Sequence, residues 1–346
     1  VGNSIIDGDD LGTVISIDTW VYGGTASQIS NDTHISGFTI QNGNGLYAGG
    51  IYLNWAGPTL TDLDIRDNDG SRGAGMHVSW SWPIIRDVTI RDNYASDYGG
   101  GLTFGSTTAI LENVIITGNS AYSFGGGMNF TQGGVVEVSN SLIADNEAGV
   151  QGGGLYIKDG GIATLDGVTV ANNTAPIGAG LYLRYGGDAI ITNSIVVYNI
   201  GDAQATIEDY LDAVAIFDIS YSNFAGGESG VNVENSEFYS ILWGDGNIDE
   251  APQFVDAAND NYSLMASSPS IDAGDPASEF DPDGTIADQG AFYYDQINAP
   301  IVWGCMDSTA TNYNPDANAD TNCLINTGPN WYVVVDGDDI NGDGSE

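Results

Sequence analysis

The sequence predicts an all-β chain wound as a right-handed parallel β-helix, a solenoid of about 26 residues per coil, and three columns of residues in register predict it. The first is a small residue, a glycine and an apolar residue, at Gly50-Ile51, Gly75-Met76, Gly101-Leu102, Gly127-Met128, Gly154-Leu155 and Gly180-Leu181. Its steps are 25, 26, 26, 27 and 26 residues. The second column is Asn68, Asn93, Asn119, Asn146, Asn173 and Asn199. The third, three residues earlier, is β-branched throughout: Ile65, Ile90, Ile116, Ile143, Val170 and Val196. The unit is too short for a propeller blade and lacks the 3.6-residue apolar spacing of a helical repeat.

Each unit contains two runs with period two, the mark of a strand with one buried face. One run carries apolar outer members around a middle residue that is usually polar, as in Met76-His77-Val78 and Met128-Asn129-Phe130. The other ends at the β-branched column, as in Leu63-Asp64-Ile65. Clusters of Gly, Asn and Asp between the runs supply turns, several of which need positive φ. With coils stacked about 4.8 Å apart, equivalent residues lie on top of one another. The asparagines then read as an amide ladder within a turn, because six in register are poorly explained as independent solvated loop residues. Residues 1–44 carry irregular first coils with strand-like Val14-Ile15-Ser16-Ile17 and Phe38-Thr39-Ile40. Beyond Gly201, the spacing of Ile207, Leu211, Val214, Ile216 and Ile219 implies a longer coil with an insertion.

The 346 residues carry a net charge of −41, with six basic residues and none after Arg184. Such a surface repels nucleic acid and anionic lipid, and it needs divalent cations or high salt to relieve self-repulsion. No run approaches eighteen apolar residues, which excludes a membrane-spanning helix. The sequence opens at Val1 without Met or a signal peptide, as expected of a processed product or a piece of a longer chain. Cys305 and Cys323 stand 18 residues apart with no His nearby. That is poor zinc chemistry and good disulfide chemistry, with free thiols as the alternative. A bridge there would contribute roughly 3 kcal/mol in the chain-entropy model and implies an oxidising, extracellular setting. Three regions follow: a β-helix over 1–296, a Cys-bounded module over 297–326, and a strand with an acidic tail over 327–346.

Residues 248–295 change character, and here the sequence resembles known proteins. Pro252-Gln253-Phe254-Val255-Asp256, Tyr262-Ser263-Leu264, Ser267-Ser268-Pro269-Ser270-Ile271-Asp272-Ala273-Gly274 and Asp288-Gln289-Gly290-Ala291-Phe292 look like the closing segment of bacterial surface β-helix proteins of the choice-of-anchor and polymorphic outer-membrane-protein type. The resemblance implies a secreted or surface-displayed fold and fixes no activity. It departs where the family often has an Arg before the final motif, since Thr285-Ile286-Ala287 stand there. An ion pair is therefore missing or replaced. Residues 304–323 resemble a short Cys-bounded module of secreted proteins of aquatic bacteria, in which Asp316, Asn318, Asp320 and Asn322 alternate like the oxygen ligands of a thrombospondin type-3 calcium repeat.

Asp339, Asn341 and Asp343 followed by Gly344 match the first half of a Ca²⁺-binding loop, in which alternating oxygens wrap one hard cation. Asp336, Asp338 or Glu346, or a neighbouring subunit, would complete the shell; a solvated acidic turn is the alternative reading. The strand Trp331-Tyr332-Val333-Val334-Val335 comes after the helix has closed, which points to strand addition onto the first coil of another copy, against the alternative of a linker into a second domain. Arg66 and Arg91 occupy equivalent positions among Asp64, Asp67 and Asp92 and read as a surface ion-pair ladder. His77 reads as an ordinary surface residue, and Trp55, Trp80, Tyr52, Tyr156 and Tyr182 as an outer aromatic column that packs on itself or forms a sugar-stacking wall. Asn31, Asn129, Asn172 and Asn261 head sequons for glycosylation. The expectation is a secreted, calcium-binding structural protein without catalytic residues, the protomer of a head-to-tail filament or a surface adhesin. Its partners would be other copies of itself, with polysaccharide a further candidate. The rival is a polysaccharide lyase or glycoside hydrolase using the long groove of a β-helix.

Overall fold

The computed structural model describes residues 4–20, 29–208, 214–234, 238–298, 303–305, 308–313, 319–320 and 323. Its body is a parallel β-solenoid. A nine-stranded sheet runs from Ile15–Asp18 to Val231–Glu234, so its strands bound eight turns. A sixteen-stranded sheet forms the opposite wall, and a short four-stranded sheet closes the coils between Asp69–Arg72 and Glu147–Ala148.

The β-branched column lies inside, as its sequence pattern predicts. Ile65 pairs with Ile40 and Ile90, and the register continues through Ile116, Ile143, Val170 and Val196 to Phe224. Each of these is fully buried. Facing them, Ile51, Met76, Leu102, Met128, Leu155 and Leu181 complete a narrow continuous core. Burial of such chains supplies most of the stability of a coil.

The asparagine column is an amide ladder. Each Nδ2 donates to the Oδ1 of the next coil at 2.9–3.0 Å, from Asn68 through to Asn199. The same Nδ2 also donates one coil backwards, to the carbonyl oxygen of a β-branched core residue, as Asn119 does to Ile90 at 2.9 Å. The two columns are therefore one device. Gln204 ends it by accepting from Asn199 at 2.9 Å. The residue before each asparagine is left-handed, with φ of 53° at Asp67, 55° at Asp92 and 57° at Asp145. Asp and Asn tolerate that conformation better than other side-chain-bearing residues, so part of the acidic composition follows from turn geometry.

A second, shorter ladder was not evident in the sequence. Ser141, Ser194 and Ser222 accept from the backbone N–H of Val114, Val168 and Ser194, and Asn247 accepts from that of Ser222. The serines are buried and bond neighbouring coils where other coils carry Leu63 or Val88.

The segment expected to close the β-helix lies along its flank. Phe254, Tyr262, Leu264 and Ala291 pack on Leu142, Ala144, Ala171, Ile195 and Val197, outward residues of the sixteen-stranded sheet. Beyond it, Cys305 and Cys323 form a disulfide, S–S 2.07 Å, beside the paired strands Trp303–Gly304 and Ala319–Asp320.

Candidate functional site

The outer face of the nine-stranded sheet is not the open wall that alternation implies. Thr103, Asn129, Tyr156 and Tyr182, the middle residues of their strands, are all at least nine-tenths buried. A neighbouring column of single bridges, Tyr98, Phe124, Gln151 and Ile177, runs in register beside them. Tyr98, Phe124, Tyr156 and Tyr182 stack in sequence with centroids 5.5, 4.9 and 5.4 Å apart. The ammonium of Lys158 sits 5.3 Å from the Tyr98 ring and 5.8 Å from that of Tyr156. Burial pushes the Tyr156 phenol up to about 12. The tyrosines thus spend their faces on one another.

His77 belongs to this layer and is not an ordinary surface residue. Its ring lies 5.6 Å from Tyr52 and 5.4 Å from Tyr47, with Nδ1 3.0 Å from the Arg72 carbonyl oxygen. Burial, aided by the charge of Arg72, lowers its pKa to about 4. The ring is neutral at physiological pH and donates from Nδ1.

At the adjacent corner Trp55 and Trp80 stack, centroids 5.4 Å apart and planes 4° from parallel. Both stay solvent-exposed, at 37% and 49%. On the opposite wall, Arg91 grips Asp64 through Nε and Nη2 at 3.0 and 3.1 Å and reaches Asp92 at 2.9 Å. Arg66 pairs with Asp64 and Asp67 at 3.4 Å. These residues form the expected ion-pair ladder, with both guanidinium groups committed to carboxylates.

Of the candidate Ca²⁺ ligands, Asp316, Asn318, Asn322, Asp336, Asp338, Asp339, Asn341, Asp343 and Glu346 lie outside the described residues. Asp320 is placed by its backbone, in the strand beside the disulfide. Strand Trp331-Tyr332-Val333-Val334-Val335 also lies outside them. Among the described residues no three of His, Cys, Asp and Glu are grouped to hold a metal ion, and no helix is long and apolar enough to cross a membrane.

The family model described as "Right handed beta helix region" matches residues 21–196 and 79–246, together more than half of the chain. This chain belongs to the right-handed β-helix family. No curated protein and no solved structure matches it significantly.

In this β-helix the flank segment is held by a buried carboxylate. Asp288 is 5% exposed and accepts from the backbone N–H of Asp272 at 2.7 Å and of Tyr294 at 2.6 Å. Both of these donors are backbone N–H groups. Burial, with the nearby charges of Asp281 and Asp272, pushes its pKa up to about 6 against those two hydrogen bonds. Tyr262 is the second anchor, donating to Asp145 at 2.6 Å and accepting from Asn172 at 3.0 Å. Asn172 is thereby occupied, and Asn129 is buried at 2% exposure, so neither sequon offers a free amide for a glycan on the folded chain. Asn31 is half-buried and Asn261 is exposed.

Proposed function

We propose that this β-helix is a secreted structural protein, the protomer of a head-to-tail extracellular filament or surface adhesin. The supporting observation is that, among the described residues, the strand at each end of the sheet has an edge without a partner. Among the described residues the nine-stranded sheet terminates on Ile15–Asp18 at one end and Val231–Glu234 at the other. The inward apolar residues there are only half-buried: Val14, Ile15, Ile17, Ile35 and Phe38 at one end, Ile241 and Trp243 at the other. Ile15 and Thr19 donate into the next coil at 3.0 Å. By the alternation of a parallel ladder, Ser16 and Asp18 therefore aim their backbone groups outward along the axis. Such edges invite pairing. A second coil offers strands in the same direction and spacing, and a contact between unlike ends propagates instead of closing on itself.

The Ca²⁺ loops at Asp316–Asn322 and Asp336–Glu346 are proposed to offset carboxylate repulsion at the joint, and strand Trp331–Val335 to strengthen it. The lyase or hydrolase reading calls for three carboxylates with a basic partner in a cleft. Asp64, Asp67 and Asp92 come nearest, but on a partly exposed strand face with their arginines engaged, and this favours the structural reading. Electron microscopy of the purified protein in millimolar Ca²⁺ and in chelator tests the proposal. Filaments are expected, and they should be lost on Ser16→Pro, on Val233→Pro, and on deletion of 327–346. Single particles in every condition, or unchanged filaments from all three variants, would overturn it.

A further inference from the structure

The geometry points to a carbohydrate-binding platform at the tryptophan corner of the first coils, one that takes a neutral glycan. Four of the seven tryptophans gather there: Trp20, Trp55 and Trp80, each at least 37% exposed, and half-buried Trp82 packed against the Gly57 backbone. Trp55 and Trp80 hold left-handed backbones, with φ of 55° and 50°. A bulky side chain adopts that conformation at a cost. Other coils fill this turn with Ser106, Gln132 and Asp159 at φ of 48°, 53° and 54°, and with Tyr185 at 52°, whose ring is covered by the Arg184 guanidinium. Core packing does not explain two exposed indoles at a position that suits Asn or Asp.

The two rings leave usable faces. Planes in contact at about 3.5 Å with centroids 5.4 Å apart must be offset by roughly 4 Å, so each indole keeps part of a face uncovered. The stack is bounded by Thr19 in the coil before, whose backbone N–H donates to Asn54, and by Ser106 in the coil after, next to Gly105, whose carbonyl oxygen accepts from the Trp80 backbone N–H. Neither covers it with a ring. Asn54 and Ser79, one residue before each tryptophan, add uncharged hydrogen-bonding groups. Coils repeat at about 4.8 Å, close to the length of one pyranose unit, so consecutive sugars can meet consecutive coils.

Charge selects among ligands. All six basic side chains are already within 4.0 Å of a carboxylate, and the net charge is −41. An acidic glycan would find repulsion and no uncommitted cation. A neutral one loses nothing by it.

The intact protein is titrated with cellohexaose and with chitohexaose, following indole fluorescence and binding heat, with polygalacturonate as the acidic control. A neutral hexasaccharide should bind and polygalacturonate should not. Trp80→Asn and Trp55→Asn should each weaken binding by about tenfold while leaving the melting temperature unchanged or raised, because Asn relieves the left-handed backbone. A loss of binding accompanied by unfolding is thereby distinguished from loss of the platform. The inference is overturned if neither hexasaccharide binds at millimolar concentration, if both variants bind like the parent, or if polygalacturonate binds equally well. A protein partner that protects these indoles while both sugars fail would likewise overturn it.

Discussion

The regular coils and the flank segment over 252–294 are attached to the same core by opposite means. In the coils the inward and ladder residues repeat their neighbours' interactions, so that Asn93, Asn119, Asn146 and Asn173 each donate forward and backward in the same way. In the flank segment no contact recurs. Tyr262 meets Asp145, 117 residues away, Ala291 donates to Thr169, 122 residues away, and Asn223 donates to Ser270. The coils gain nearest-neighbour terms that add along the axis, as expected of a solenoid. The flank segment depends on a handful of unlike anchors closing long loops. Damage to one coil should therefore weaken the whole stack, whereas damage to one anchor should free a single segment.

The largest effect is expected at the inward column. Ile116→Asp places an uncompensated charge in a narrow core and should cost about 4 kcal/mol or more. A thermal melt unchanged from the parent would show that the register of the coils is wrong. Next comes the ladder. Asn119→Ala removes the side-chain bonds to Ile90, Thr117 and Asn146 and the acceptor for Asn93, leaving buried partners unmet at roughly 3–5 kcal/mol. Denaturant titration should show one cooperative loss; a local effect confined to that coil would break the contrast drawn above.

The flank should respond to pH. The pKa of Asp288 is raised in the fold to about 6 from 3.8, so the folded chain holds this proton more tightly than the unfolded chain does. Its contribution is complete below about pH 4 and is lost as pH rises through about 6, by no more than about 3 kcal/mol. Asp288→Asn should flatten stability over that window, read from melts at half-unit pH steps, and an unaltered slope would refute the assignment. The smallest effect is expected for Tyr262→Phe, at about 1–2 kcal/mol. Hydrogen exchange should quicken across 254–264 while the amides of the coils stay protected. Equal loss of protection in both would show that the flank and coils unfold as one unit.

The coil interior was legible because stacking makes each position meet its own copy. A residue suited to the inside or to a ladder recurs at every turn, as Ile65 to Val196 and Asn68 to Asn199 do. The ion-pair ladder of Arg66 and Arg91 was legible for the same reason. The serine ladder was less so, because its hydroxyls appear in some coils and aliphatic residues in others. Tyr156 and Tyr182 were read as outward-facing from strand alternation, yet the column of Tyr98 and Phe124 beside that face goes with their burial, and His77 is half-buried against Tyr47 and Tyr52. Alternation reports which side of a sheet a residue occupies and says nothing of what else lies on that side.

By itself the sequence determined the β-helix, its period, its inward column, its amide ladder and the acidic turns, since each is a local preference repeated until it is unambiguous. The tertiary structure decided where the flank segment lies, what holds Asp288, which tyrosines are sealed and which indoles are open. The place of the flank depends on single contacts between residues about a hundred positions apart, while the Asp288 and aromatic contacts occur once or in a few coils only, and such contacts leave no full period to read.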